Sequence, residues 1–187
     1  MKLWVCPLSK LDTVLDQCES AAVLSLCSPG NAPSKPEHTN LSTWQQLVFH
    51  DVATPRKGLI TVRQEQVAAG IATAQAIAAG PSSSTPSGTT KELVVHCWAG
   101  VSRSTAFAYT IACALSKAGA EGKLAHLLRE ASPEATPNPL VVHHGDNLLQ
   151  RSGRMIEAIK GIGRGCDAFE GPVFCLELEQ QIYRLIA

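Results

Sequence analysis

Cys97 and Arg103 stand with five residues between them in the run His96-Cys97-Trp98-Ala99-Gly100-Val101-Ser102-Arg103-Ser104. An ionised thiol is a strong nucleophile, and a guanidinium is a planar fork matched to two oxygens of a phosphate-like anion. The residues between them are uncharged and include Gly100, as a tight loop with main-chain N–H groups turned toward an anion requires. Residues 92–96 read as a buried strand, and a helical apolar pattern starts near Ser104. A strand–loop–helix unit sets the positive end of a helix at the loop, which favours a thiolate and a bound oxyanion together. The chemistry implied is attack by Cys97 on phosphorus. Arg103 and the main chain of Trp98, Ala99, Gly100, Val101 and Ser102 would hold the equatorial oxygens. Ser104 can donate its hydroxyl to the Cys97 sulfur when that sulfur departs. His96 is expected to hold the loop's shape by ring hydrogen bonds to backbone carbonyls.

Hydrolysis of a phosphate ester also needs an acid that protonates the leaving oxygen and then activates water. Asp51 is the first candidate, because it follows a predicted strand and precedes the helix that leads to the nucleophile strand. A turn or N-cap carboxylate is the bland reading of the same residue. His50 beside it could tune Asp51 or replace it, and Asp146 is a weaker candidate. Trp98 either lines the substrate mouth or packs sideways, and Cys113 reads as core. His143 and His144 are adjacent on a helical pattern, so they do not face one another as a metal pair would.

The elements that must position these groups alternate. Strands are expected over 3–6, 22–26, 46–50, 92–96 and 173–176, the last followed by a short helix. Helices are expected over 62–79, 104–118, 121–131 and 139–162, with Asn138 as N-cap and Pro139 at the first helical position. Ser9 reads as the N-cap of a short helix carrying Leu11, Val14 and Leu15. Residues 29–43 and 80–90 read as polar loops. The pattern predicts a single α/β domain over 1–187, its core within about 1–162 and 163–187 an extension. Its sheet should be mainly parallel, with four or five strands flanked by helices.

Sixteen basic and 16 acidic residues balance, which argues against a broad nucleic-acid-binding face. Seven dispersed cysteines with no CxxC pair point to reduced thiols rather than disulfides or zinc. No stretch reaches the length of a membrane span, so a cytoplasmic protein is expected.

The run from Val94 to Ser104 resembles the signature of the protein-tyrosine-phosphatase superfamily, and its Ala-Gly-Val-Ser-Arg-Ser stretch is similar to the dual-specificity branch. Ala135-Thr136-Pro137-Asn138-Pro139 resembles the Pro-Asn pair of that branch, which implies that Asn138 braces the signature loop through its side chain. Residues 47–149 also resemble a bacterial group of predicted tyrosine phosphatases, with Asp51 after the third strand and Arg129-Glu130-Ala131-Ser132-Pro133 before the Pro-Asn pair. The resemblance implies a cysteine-based phosphatase fold and a phosphorylated protein or small phosphomonoester as substrate. No cofactor or metal is implied. The uncharged loop interior leans toward phosphotyrosine or dual specificity rather than lipid headgroups. Two rivals use a similar loop: a phospho-binding module with poor turnover, and sulfur-transfer or arsenate-reductase chemistry. The last needs relay cysteines, and none stands near Cys97 in the sequence.

Overall fold

Alternation along the central strands sends side chains into two apolar clusters. On β1 (Lys2–Pro7), β2 (Ala21–Cys27) and β4 (Glu92–Cys97), residues Val5, Leu24, Leu26, Leu93 and Val95 enter one cluster; Cys6, Val23 and Val94 enter the other. With both faces covered, these strands read in the sequence as unbroken apolar runs. The computed structural model describes residues 1–80, 91–179 and 182–186. Among them the sheet has six strands, completed by β3 (Leu41–Val48), β5 (Phe174–Glu179) and β6 (Ile182–Ile186), in the order β3-β2-β4-β1-β5-β6.

The four strands β3, β2, β4 and β1 are parallel, whereas β5 pairs antiparallel to β1 and β6 antiparallel to β5. The sheet is therefore mixed and has more strands than expected. The difference lies in the C-terminal residues. Phe174, Cys175 and Leu176 are buried as β5 occupies the edge of β1, with Leu3 opposite Leu176. The short helix expected after this strand is instead β6, which satisfies the outer edge of β5.

Helices α2 (Gln64–Ala79), α3 (Arg103–Ala114), α4 (Glu121–Ala131), α5 (Pro139–Leu148) and α6 (Arg154–Ile162) contribute to the larger cluster. The short α1 (Leu11–Leu15) covers the other face with Leu11, Val14 and Leu15. Every residue of α3 from Arg103 to Cys113 is buried, so the helix that follows the Cys97 loop is the centre of the helical layer.

Four local expectations are corrected. The single helix over 139–162 is two helices, separated by Gln150, Ser152 and Gly153 at positive φ. That break lets Arg151 reach the carbonyls of Cys113 and Ser116 at 2.8 Å each, and Asp146 accept from Gly153 N and Met155 N. Strand β3 begins at Leu41, inside the segment expected to be loop, because β2 offers it pairing from Ala21 onward. Helix α3 ends at Ala114, where the Ser116 hydroxyl turns back onto Ala112 O. Ser9 caps no helix; it lies in a 3₁₀ turn and its Oγ donates to Glu170 Oε2 at 2.9 Å. Of the loop expected over 80–90, residues 81–90 lie outside the described residues. No helix among the described residues is long and apolar enough to cross a membrane.

Candidate active site

The parallel strands end on one edge of the sheet, and in such sheets ligands bind at the carboxyl ends of the strands. There β4 delivers Cys97, and the chain turns through residues 98–102 into α3. Gly100 takes φ +71°, and a Cβ on it would lie 2.8 Å from Pro7 N and 3.1 Å from the Cys6 carbonyl carbon. Only glycine lets this loop lie so close to the end of β1.

Four of the loop's five carbonyls, those of Trp98, Ala99, Val101 and Ser102, find donors outside the turn. Trp98 O accepts from Leu8 N at 3.2 Å and Ala99 O from Gly171 N at 2.8 Å. Val101 O accepts from Thr136 N and from Thr105 Oγ1, and Ser102 O from Asn138 N, Ala106 N and Thr105 Oγ1. A trans peptide points its N–H opposite its C=O. The N–H groups of Ala99, Gly100, Ser102 and Arg103 are thereby turned the other way, toward the concave side, and none has a protein acceptor among the described residues. This is a nest of oriented donors at a helix N-terminus, the arrangement that binds anions.

Cys97 sits at the base, 3 % exposed, with its Sγ 3.2 Å from Ser104 Oγ. Arg103 is buried; its Nη1 donates to Ser28 Oγ and to Phe49 O, each at 3.1 Å, and its guanidinium lies over the Phe49 ring. Its Nε is buried and makes no hydrogen bond. A cavity of about 410 Å³ opens here, walled by Leu8, Leu26, Ser28, Pro33 and Trp98 as well as Cys97 and Arg103. Trp98 is 62 % exposed and borders the mouth rather than packing into the core.

Asp51 lies beside the loop, not on the cavity wall. Its Oδ1 accepts from Ser102 Oγ at 2.8 Å and from Asn138 Nδ2 at 2.7 Å; its Oδ2 is 3.9 Å from Arg103 Nε. With Oδ1 committed to two donors, Oδ2 is the freer oxygen, and it faces the Arg103 edge. Asn138 does not brace the signature loop through its side chain. Its amide N–H groups go to Asp51 and Val52 O, its Oδ1 caps α5 at Leu140 N and Val141 N, and only its main-chain N reaches Ser102 O.

His96 also departs from expectation. Neither ring nitrogen has a partner at full hydrogen-bond geometry, though the Cys97 main chain lies near enough to act on the ring; the ring stacks on Trp44, and burial pushes its pKa down to about 4 against that main-chain contact. His50 is engaged elsewhere: its Nδ1 accepts from Ile60 N and its own N–H donates to Ile60 O, closing the excursion that carries Asp51. Asp146 is buried as a cap of the turn into α6, which removes it as an acid candidate. His143 bonds Asn147, and Cys113 is core.

Cys27 stands on the same cavity wall as Cys97, a neighbour that linear spacing did not disclose. Burial pushes its thiol up, with Arg103 pulling the other way, and it lies 4.0 Å from Leu47 O as a donor. It is a poor attacking thiol in this state. Sequence reasoning also missed Ser28 and the Glu170–Gly171 segment that bonds Ser9 and Ala99. A signal was present: any loop after a parallel strand reaches this edge. No protein-family model matches the chain, and no curated protein matches it.

Proposed function

We propose that the chain is a cysteine-dependent phosphatase of the protein-tyrosine-phosphatase superfamily, acting on phosphate monoesters through a cysteinyl-phosphate intermediate. The observation that carries this reading is the loop between Cys97 and Arg103, which holds four main-chain N–H groups without protein acceptors, a buried Arg103 Nε without a hydrogen bond, and a thiol in contact with a serine hydroxyl. In the first step the Cys97 thiolate forms a bond to phosphorus, the ester P–O bond breaks, and Asp51 Oδ2 gives its proton to the leaving oxygen. In the second, water attacks phosphorus, Asp51 takes its proton, and the P–S bond breaks as Ser104 Oγ–H steadies the departing thiolate. The oriented N–H groups act where charge is held through both steps and need no reorganisation. Phosphotyrosine or dual-specificity phosphoprotein substrates suit a loop with no cationic side chain between Cys97 and Arg103.

A binding-only reading draws on one observation, that Asp51 is held by Ser102 and Asn138 beside the cavity rather than on its wall. Steady-state hydrolysis of p-nitrophenyl phosphate by wild type and Cys97→Ser separates the two. Vanadate-sensitive turnover by wild type, lost in Cys97→Ser, supports the phosphatase. An inert wild type that still binds phosphopeptides supports the binding module instead.

A further inference from the structure

Arg103 is oriented by groups that lie outside the signature loop. Its Nη1 carries two protons, one directed to Ser28 Oγ and one to Phe49 O, each at 3.1 Å. The edge formed by Nε and Nη2 is thereby left for a ligand: Nε is buried without a hydrogen bond and meets Asp51 Oδ2 only as a loose ion pair at 3.9 Å. That edge is the one able to place two parallel N–H groups on a tetrahedral oxyanion. Phe49 O alone fixes a single line about which the guanidinium can swing. A second acceptor in another direction fixes the plane.

Ser28 is itself held rigidly. It opens the turn Ser28-Pro29-Gly30-Asn31, in which Asn31 N donates to Ser28 O at 3.0 Å and Gly30 takes φ +78°. Proline at the second position and a left-handed glycine at the third are the pattern of a type II turn. The turn follows β2, so the strand adjacent to β4 in the sheet sets where the Ser28 hydroxyl stands.

We infer that Ser28 is a positioning residue that selects the Nε/Nη2 edge of Arg103 for the substrate's oxyanion, which makes the Ser28–Asn31 turn part of the active site. The inference rests on the phosphatase reading above. The test compares wild type, Ser28→Ala and Ser28→Thr by p-nitrophenyl phosphate kinetics, by vanadate inhibition and by urea unfolding. Ser28→Ala should weaken vanadate inhibition by roughly five- to tenfold and lower kcat/KM by a similar factor, as loss of one charge-assisted hydrogen bond would. Ser28→Thr, which keeps the hydroxyl, should stay within about threefold of wild type, and the urea midpoint should hardly move in either variant. Vanadate inhibition and kcat/KM of Ser28→Ala within about twofold of wild type would overturn the inference. So would Ser28→Thr falling as far as Ser28→Ala, or a lowered urea midpoint with unchanged vanadate inhibition. A wild type that neither turns over nor responds to vanadate defeats the phosphatase reading itself, before any variant is compared.

Discussion

His96 adjoins Cys97 yet has no acid–base task in this arrangement: burial, opposed by the Cys97 main chain and aided by the charge of Arg103, pushes its pKa down to about 4. The unfolded chain, with an ordinary imidazole near ~6.5, takes up the proton first as pH falls. The contribution of neutral His96 to stability is therefore full above about pH 6.5 and declines down to about pH 4, by at most ~1.4 kcal/mol per unit and of order 3 kcal/mol in all. Urea titrations between neutral pH and pH 4 should show this slope in wild type and not in His96→Leu; equal slopes would refute it. Asp51 is the other residue with a distinct expectation. Asp51→Asn should lower kcat by roughly 10²–10⁴ if Oδ2 carries the proton, read by steady-state kinetics with a phosphotyrosine peptide. A loss within threefold or so would leave Asp51 only as the partner of Ser102 and Asn138. Cys97, Arg103 and Ser104 were legible in the sequence because the groups that cooperate are neighbours along the chain. Ser28 and the true partner of Asn138 were not, because those contacts cross from one strand end to another.

The strand–loop–helix unit from β4 to α3 could be read from sequence because it combines an apolar run, a glycine and a helical period in one short window. Its dependence on β1 could not. Gly100→Ala should destabilise the fold by more than about 1 kcal/mol, since it combines φ +71° with a methyl 2.8 Å from Pro7 N, and should distort the anion nest. Urea midpoint and vanadate inhibition read the two effects separately. At the start of α5, Asn138 joins two tasks that substitution can part. Asn138→Ala loses the cap at a cost of about 1 kcal/mol and also releases Asp51. Asn138→Asp keeps an oxygen for the cap but sets a second carboxylate against Asp51, so activity should fall while most of the helix stability remains. Were Asn138→Asp fully active, the Asn138–Asp51 contact would have no part in catalysis. The break between α5 and α6 escaped prediction because the apolar spacing continues through it. The break is held by long-range contacts, Arg151 on the carbonyls of Cys113 and Ser116 and Asp146 on Gly153 N and Met155 N.

At the scale of the molecule, the α/β class followed from alternating apolar runs and helical periods, while the composition of the sheet did not. Residues 174–178 look like an appendage in the sequence and are part of the sheet in the fold, with Phe174, Cys175, Leu176 and Leu178 all buried. Burying four such side chains is worth of order 6 kcal/mol, comparable with the whole stability of many domains. A chain ending at residue 162 should therefore lack a cooperative urea transition, and one with the full-length midpoint would contradict that role for β5. The segment leading into β5 reaches the Cys97–Arg103 loop through Gly171 N and Ala99 O, so the sheet edge and that loop are tied together. In the proposed reaction Cys97 carries the phosphoryl group between the two steps. Intact-mass spectrometry of Asp51→Asn during p-nitrophenyl phosphate turnover tests it most directly, since that variant should form the intermediate and hydrolyse it slowly. The expected result is a gain of one phosphoryl group, mapped by peptide analysis to Cys97 and absent when Cys97 is also replaced by Ser. A phosphoryl group found on another residue, or wild-type rates of hydrolysis by Cys97→Ser, would contradict it.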